Sequence, residues 1–179
     1  MRTFESNELL SRLRLLGPEA RASFALACAE RLQPYREFSD DPNAVTLVRK
    51  VLDTAFDCIS RNTASLEKLR LLSADLEKAP YLDDDAAASA AYVARCLLSG
   101  EAENAVWAGQ RGYDARDREA QDQVEGDGIT SADEHRILSH PSVQEELENQ
   151  MSDLDTLEDN ANDVATVVLR AKNDANGNA

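Results

Sequence analysis

The stretch richest in potential ligand atoms runs from Gln123 to Glu134. Aligned as a twelve-residue calcium loop, it puts Glu125, Asp127 and Ser131 at coordinating positions, Gly128 at the sharp turn and Glu134 at the bidentate twelfth position. The alignment is imperfect, because Gln123 stands where the first Asp is needed and Thr130 occupies a usually apolar place. A flexible acidic turn followed by a capping box of Ser131 with Glu134 accounts for the same residues without a metal. The two histidines, His135 and His140, lie in a polar stretch at a helix junction, without the further ligands a zinc site requires. There is no glycine-rich phosphate loop, no H-E-x-x-H and no G-x-S-x-G. The 34 carboxylates are too many for any pair at helical spacing to be informative. The expectation is therefore a binding protein and not an enzyme, with no metal and no cofactor. Glu30 and Arg31, at the end of an apolar helical face, are expected to contribute a buried ion pair that joins two helices.

The charge is strongly asymmetric. Residues 1–80 carry 12 basic and 12 acidic side chains, whereas residues 81–179 carry 7 and 22, so the whole net charge of −15 lies in the second part. Phosphate binding needs a basic patch, so direct contact with nucleic acid is not expected. A one-signed surface does suit a cationic protein partner. Cys28, Cys58 and Cys96 form no C-x-x-C pair and stand singly in apolar helical runs, which suggests buried, reduced thiols. There is no run of about eighteen apolar residues and no apolar stretch following Met1, so a cytoplasmic protein without a membrane span is expected.

The elements that must position these groups read as helices throughout. The spacing predicts an all-α, single-domain bundle of about seven helices over residues 1–172, with 173–179 as a disordered, Asn-rich tail. Gly17 and Pro18 separate the first two helices, Asp41 with Pro42 opens the third, and Thr63 caps the fourth. Asp83 to Asp85 favour the start of the fifth, and Gly100 ends it. A sixth helix, from Glu101 to about Val124, loses its apolar face beyond Tyr113 and should be exposed or frayed there. His140 to Lys172 reads as one last helix roughly 50 Å long. Its apolar seam of Leu154, Leu157, Ala161, Val164, Val168 and Ala171 repeats in steps of three and four, with Glu145, Glu146, Glu148, Asp153 and Asp155 on the outer faces.

Three blocks carry a family resemblance. They are Ala27-Cys28-Ala29-Glu30-Arg31-Leu32-Gln33-Pro34-Tyr35 with Phe38; Arg49 with Leu52-Asp53 and Phe56; and Pro141-Ser142-Val143-Gln144-Glu145-Glu146 with Gln150. They resemble the signature of the YjaG-like family of small bacterial proteins, a domain of unknown function. The resemblance spans about residues 5–160. It implies an all-helical cytosolic protein without established catalysis, for which both signalling and toxin-immunity roles have been proposed.

Taken together, these readings lead to the expectation of an immunity protein that covers a basic toxin domain, one that cleaves nucleic acid, with an acidic surface. Asp114, Asp117, Glu119 and Asp122 on the sixth helix, with Glu125 and Asp127 in the following loop, are the leading contact residues. Glu145, Glu148 and Asp155 come second. The alternative is a helical scaffold or signalling adaptor that forms a homodimer through the long seam of the last helix.

Overall fold

The helix at residues 18–32 is alanine-rich and carries no charge from residue 22 to 29, and a stretch that is apolar nearly all round must be buried all round. In the computed structural model it is: from Ala22 to Leu32 each of its residues is buried, and α3, α5, α6, α8 and α9 all pack against it. The structure describes all residues except 39, 62–65, 125–129, 161, 162, 178 and 179. Among those described there are no strands, and the order is α1 (Ser6–Leu15), α2 (Pro18–Leu32), a 3-10 turn (Gln33–Tyr35), α3 (Pro42–Arg61), α4 (Leu66–Leu76), α5 (Asp85–Ser99), α6 (Ala102–Gln121), α7 (Ser131–Leu138), α8 (Pro141–Asp159) and α9 (Val164–Gly177). The fold is all-α. No helix among the described residues is long and apolar enough to cross a membrane.

Local chemistry explains most helix boundaries. Asp41 Oδ1 accepts from the amides of Asn43 and Ala44, and Asp84 caps α5 through the amides of Ala86 and Ala87. Gly100, with φ of 74°, closes α5 in the left-handed conformation that favours glycine. His140 caps α8 ahead of Pro141. The capping box before α7 is present but one residue earlier than expected: Thr130 and Asp133 form it, not Ser131 and Glu134. Thr63 lies outside the described residues.

Three expectations change. The last helix is two: α8 stops at Asn160, whose backbone is extended, and α9 starts afresh at Val164. The break lets both halves of the seam fold onto α2, so that Leu154, Leu157, Val168 and Ala171 are all fully buried within the chain. With α7 and α9 added, the described residues hold nine α-helices rather than seven, and α9 runs to Gly177, into the stretch expected to be a disordered tail. The C-terminal part of α6 is also packed. Arg116 and Ala120 are buried there, the Arg116 guanidinium lying 3.6 Å from the Tyr35 ring centroid.

The main core surrounds α2, with Phe24, Leu26, Leu52, Leu69, Leu76 and Leu154 among its largest buried side chains. A small second cluster of Ala120, Ile137, Val143 and Leu147 ties α7 to α6 and α8, and Phe4 packs against both.

Candidate functional site

Two systems of polar side chains stand out, one inside the bundle and one along α6. The inner system begins at the last turn of α2. Glu30 accepts two hydrogen bonds from Arg49 of α3, at 2.6 and 2.7 Å, and Lys172 of α9 stands 3.5 Å from it. Its neighbour Arg31 points to α8, donating to Glu146 at 3.0 and 3.3 Å and to Asp153 at 2.7 Å. Asp153 also pairs with Arg170 of α9, and Asp53 with Arg49. The expected ion pair between helices thus occurs twice, once from each residue. Glu146 and Asp153, expected on the outer faces, point inward; each is nearly or fully buried because Arg31 compensates its charge.

The approach of α8 to α6 depends on two glycines. A Cβ at Gly112 would stand 2.8 Å from Glu146 Oε1, and one at Gly109 would stand 3.1 Å from Gln150 Oε1. Gln150 then donates both to the Gly109 carbonyl and to Glu146. Six of the residues in the blocks that carry the sequence resemblance, Glu30, Arg31, Arg49, Asp53, Glu146 and Gln150, therefore help to lock α2, α3, α6, α8 and α9 together. Each carboxylate of this lattice faces a cation, and its role is to fix helix positions. Burial pushes the Cys28 thiol well up despite the neighbouring Arg31 guanidinium, and Cys96 is pushed up to about 12 by burial. Cys28 and Cys96 are buried as expected; Cys58 is only half-buried.

The outer system is a ridge on α6 with a groove on either side. Asp114 accepts from Gln110 at 2.7 Å, and Asp117 accepts from the Tyr113 hydroxyl at 3.2 Å and from Gln121 at 2.5 Å. Burial, together with the charge of Asp117, pushes the Tyr113 phenol up to about 12. These carboxylates are held by residues one turn away on their own helix, so their rotamers are fixed before any partner arrives. The groove toward α7, about 540 Å³, is bounded by Phe4, Tyr113, Asp117, Gln121, Glu134 and Leu138 among others. The groove toward α5, about 400 Å³, has Leu32 and Tyr35 as apolar walls and Glu37, Asp84, Glu119 and Asp122 on its rim. Inside this second groove Asp85 is already neutralised, by Arg111 at 3.1 Å and by Arg118.

The expected contact residues therefore divide. Asp114 and Asp117 are fixed on the ridge, Asp122 is exposed at the end of α6, and Glu119 lies 3.5 Å from Arg116. Glu145 and Glu148 are exposed on α8. Asp155 is drawn into a salt bridge with Arg12, at 2.6 Å, which Glu158 shares. Glu125 and Asp127 lie outside the described residues, as does Gly128 of the calcium alignment. Among the described residues no three His, Cys, Asp or Glu side chains are grouped to hold a metal ion. Gly109, Gly112 and Gln144 were not singled out from the sequence for their own roles. Two glycines three apart inside a helix were the available signal for the first two, since glycine weakens a helix unless something must come close.

No protein-family model and no curated protein matches the sequence. The fold is similar to that in a crystal structure of a DUF416 family protein from Shewanella baltica OS155. The TM-score is 0.70, with 19% sequence identity, over 94% of this chain and 93% of that one. The likeness extends along nearly the whole of both chains and is one of fold. It agrees with the expectation of an all-helical fold.

Proposed function

We propose that this chain is a neutralising binding protein that docks a basic protein domain against the α6 ridge, as an immunity protein would cover a nuclease toxin. The observation that carries this reading is the preset geometry of Asp114 and Asp117, each held by hydrogen bonds from its own helix beside a groove lined with aromatic and acidic side chains. Carboxylates fixed in advance lose little side-chain entropy on docking, and the net charge of −15 speeds encounter with a cationic partner. A nuclease cleft is lined with Lys and Arg to hold phosphates, so its surface has the matching sign. The adaptor reading loses its motive, because Leu154, Leu157, Val168 and Ala171 of the seam that would have joined two copies are buried inside the chain.

The test is capture by the tagged protein from its native cells at low and moderate salt, followed by mass spectrometry. A strongly basic protein should be held by the wild type and lost by the triple variant Asp114→Lys, Glu119→Lys, Asp122→Lys, with circular dichroism confirming unchanged helix content. Equal capture by both proteins would remove α6 from the interface, and recovery of no basic partner would remove the neutralising role.

A further inference from the structure

Residues 1–5, which carry no regular secondary structure, run as a strap over α6 and α8 and are held by an uncommon clasp. The Arg2 amide donates to Gln144 Oε1 at 2.7 Å, and Gln144 Nε2 donates to the Arg2 carbonyl at 2.9 Å. One carboxamide thus pairs with both backbone groups of one residue, which requires that residue to be extended, as in a β-ladder. The second proton of the Gln144 amide goes to the Leu138 carbonyl at 2.7 Å, so the clasp is oriented by the fold and not by the strap. Two residues further on, Phe4 stacks on Tyr113 with ring centroids 5.5 Å apart.

This is how a protein reads a peptide: a side-chain amide takes the backbone, and a pocket takes one side chain. The strap also forms one wall of two cavities, of about 200 Å³ on the α1 and α8 side and about 540 Å³ on the α7 side. The helices bounding them contribute Glu8, Asp117 and Glu134 and no Lys or Arg. The strap supplies a cation, Arg2, and an acid, Glu5, to the first cavity, where Arg2 shares the lining with Glu8 of α1.

We propose that the trough between α6, α7 and α8 is a peptide-binding groove, occupied in this structure by the chain's own strap. Its partner is a segment of another protein with a cationic residue followed two positions later by an aromatic one. The partner's backbone takes the Gln144 clasp, its ring replaces Phe4 on Tyr113, and its cation lies along the acidic wall. The strap competes from within the chain, so the affinity seen by a free peptide is reduced by the fraction of molecules whose groove is empty. This inference shares Asp117 and the α7-side groove with the α6 ridge reading, but Asp114, Glu119 and Asp122, whose reversal tests that reading, do not line the trough, so the two can fail separately.

The test uses the full chain and a labelled peptide with the strap's sequence, Arg-Thr-Phe-Glu-Ser, titrated to about 1 mM, the effective concentration scale of a tethered competitor. Phe4→Ala loosens the strap, so the peptide should bind that variant at least about tenfold more tightly than the wild type. Adding Gln144→Ala should abolish the binding, as should Phe→Ala in the peptide. If Gln144→Ala disturbs folding, Gln144→Glu keeps the acceptor, removes the donor and should weaken binding in the same direction. No binding to the Phe4→Ala protein, or binding indifferent to Gln144, would overturn the groove. A wild-type dimer in sedimentation that the peptide disperses would instead make a second copy the occupant and overturn the partner assignment.

Discussion

Replacing Gly112 by alanine tests whether the close approach of α8 to α6 matters. On helix propensity alone, alanine in a helix interior stabilises by roughly 0.5–1 kcal/mol over glycine. Here the new Cβ would stand 2.8 Å from Glu146 Oε1 and 3.3 Å from its Cδ, and the carboxylate must retreat by several tenths of an ångström. It has nowhere free to go. Oε1 accepts from Gln150 at 2.8 Å and from Arg31 at 3.3 Å, while Oε2 accepts from Arg31 at 3.0 Å. Losing one hydrogen bond of a charged group inside the protein removes about 1.5–3 kcal/mol, more than the propensity gain. The net expectation is destabilisation by roughly 1–2 kcal/mol, read as a lower urea midpoint with an unchanged slope. Combined with Glu146→Ala, which removes the obstructing atoms, the same alanine should become neutral or stabilising relative to that background. A Gly112→Ala protein more stable than the wild type would refute the reasoning, because propensity would then have prevailed over the lattice.

Two further outcomes follow from the titrating groups. Glu158 is held below its ordinary value of 4.5 by the hydrogen bonds from Arg12, so the stabilisation is complete above about pH 4.5 and is lost as the pH falls through the folded-state value. Arg12→Gln should therefore lower stability at neutral pH by an amount that shrinks on acidification; a gap independent of pH would show that Glu158 plays no part in it. Cys28 and Cys96, both buried with raised thiol values, should resist a disulfide reagent in the native protein and react on unfolding. Modification of either at the rate of an exposed thiol, followed by mass mapping, would contradict their burial.

What could be read from the sequence was what is decided locally. Asp41 and Gly100 mark their helix ends through groups only a few residues away, the run Asp83 to Asp85 marks the start of α5, where Asp84 is the cap, and of Ser139 and His140, either of which could cap the last helix, His140 does so. The all-α class followed from composition and spacing for the same reason. The break at Asn160 was hidden because the steps of three and four in the apolar seam continue across it, while the backbone turns to place α9 on α2. Glu146 and Asp153 were read as solvent-facing because charge ordinarily means exposure. Their buried partner, Arg31, lies on a helix far away in sequence, and nothing near residue 150 announces it. The loss of an apolar face on α6 beyond Tyr113 was real, but Arg116 packs its guanidinium on Tyr35 and so buries a residue that pattern counts as polar.

The position of α2 has a consequence for how this chain is made. Its residues leave the ribosome well before those of α9, one of the helices that most fully covers it, which is separated from it by roughly 130 residues. Until that last helix is synthesised, an alanine-rich segment with Cys28, Glu30 and Arg31 along it lacks one wall. Native closure therefore follows the synthesis of α9, and it must pay the entropy of closing a long loop before the contacts repay it. During that interval the nascent chain presents both an apolar face and unpaired charges, a state suited to chaperone contact. Arg170 and Lys172, which meet Asp153 and Glu30 as α9 docks, then complete neutral clusters and make the final step selective for the correct register.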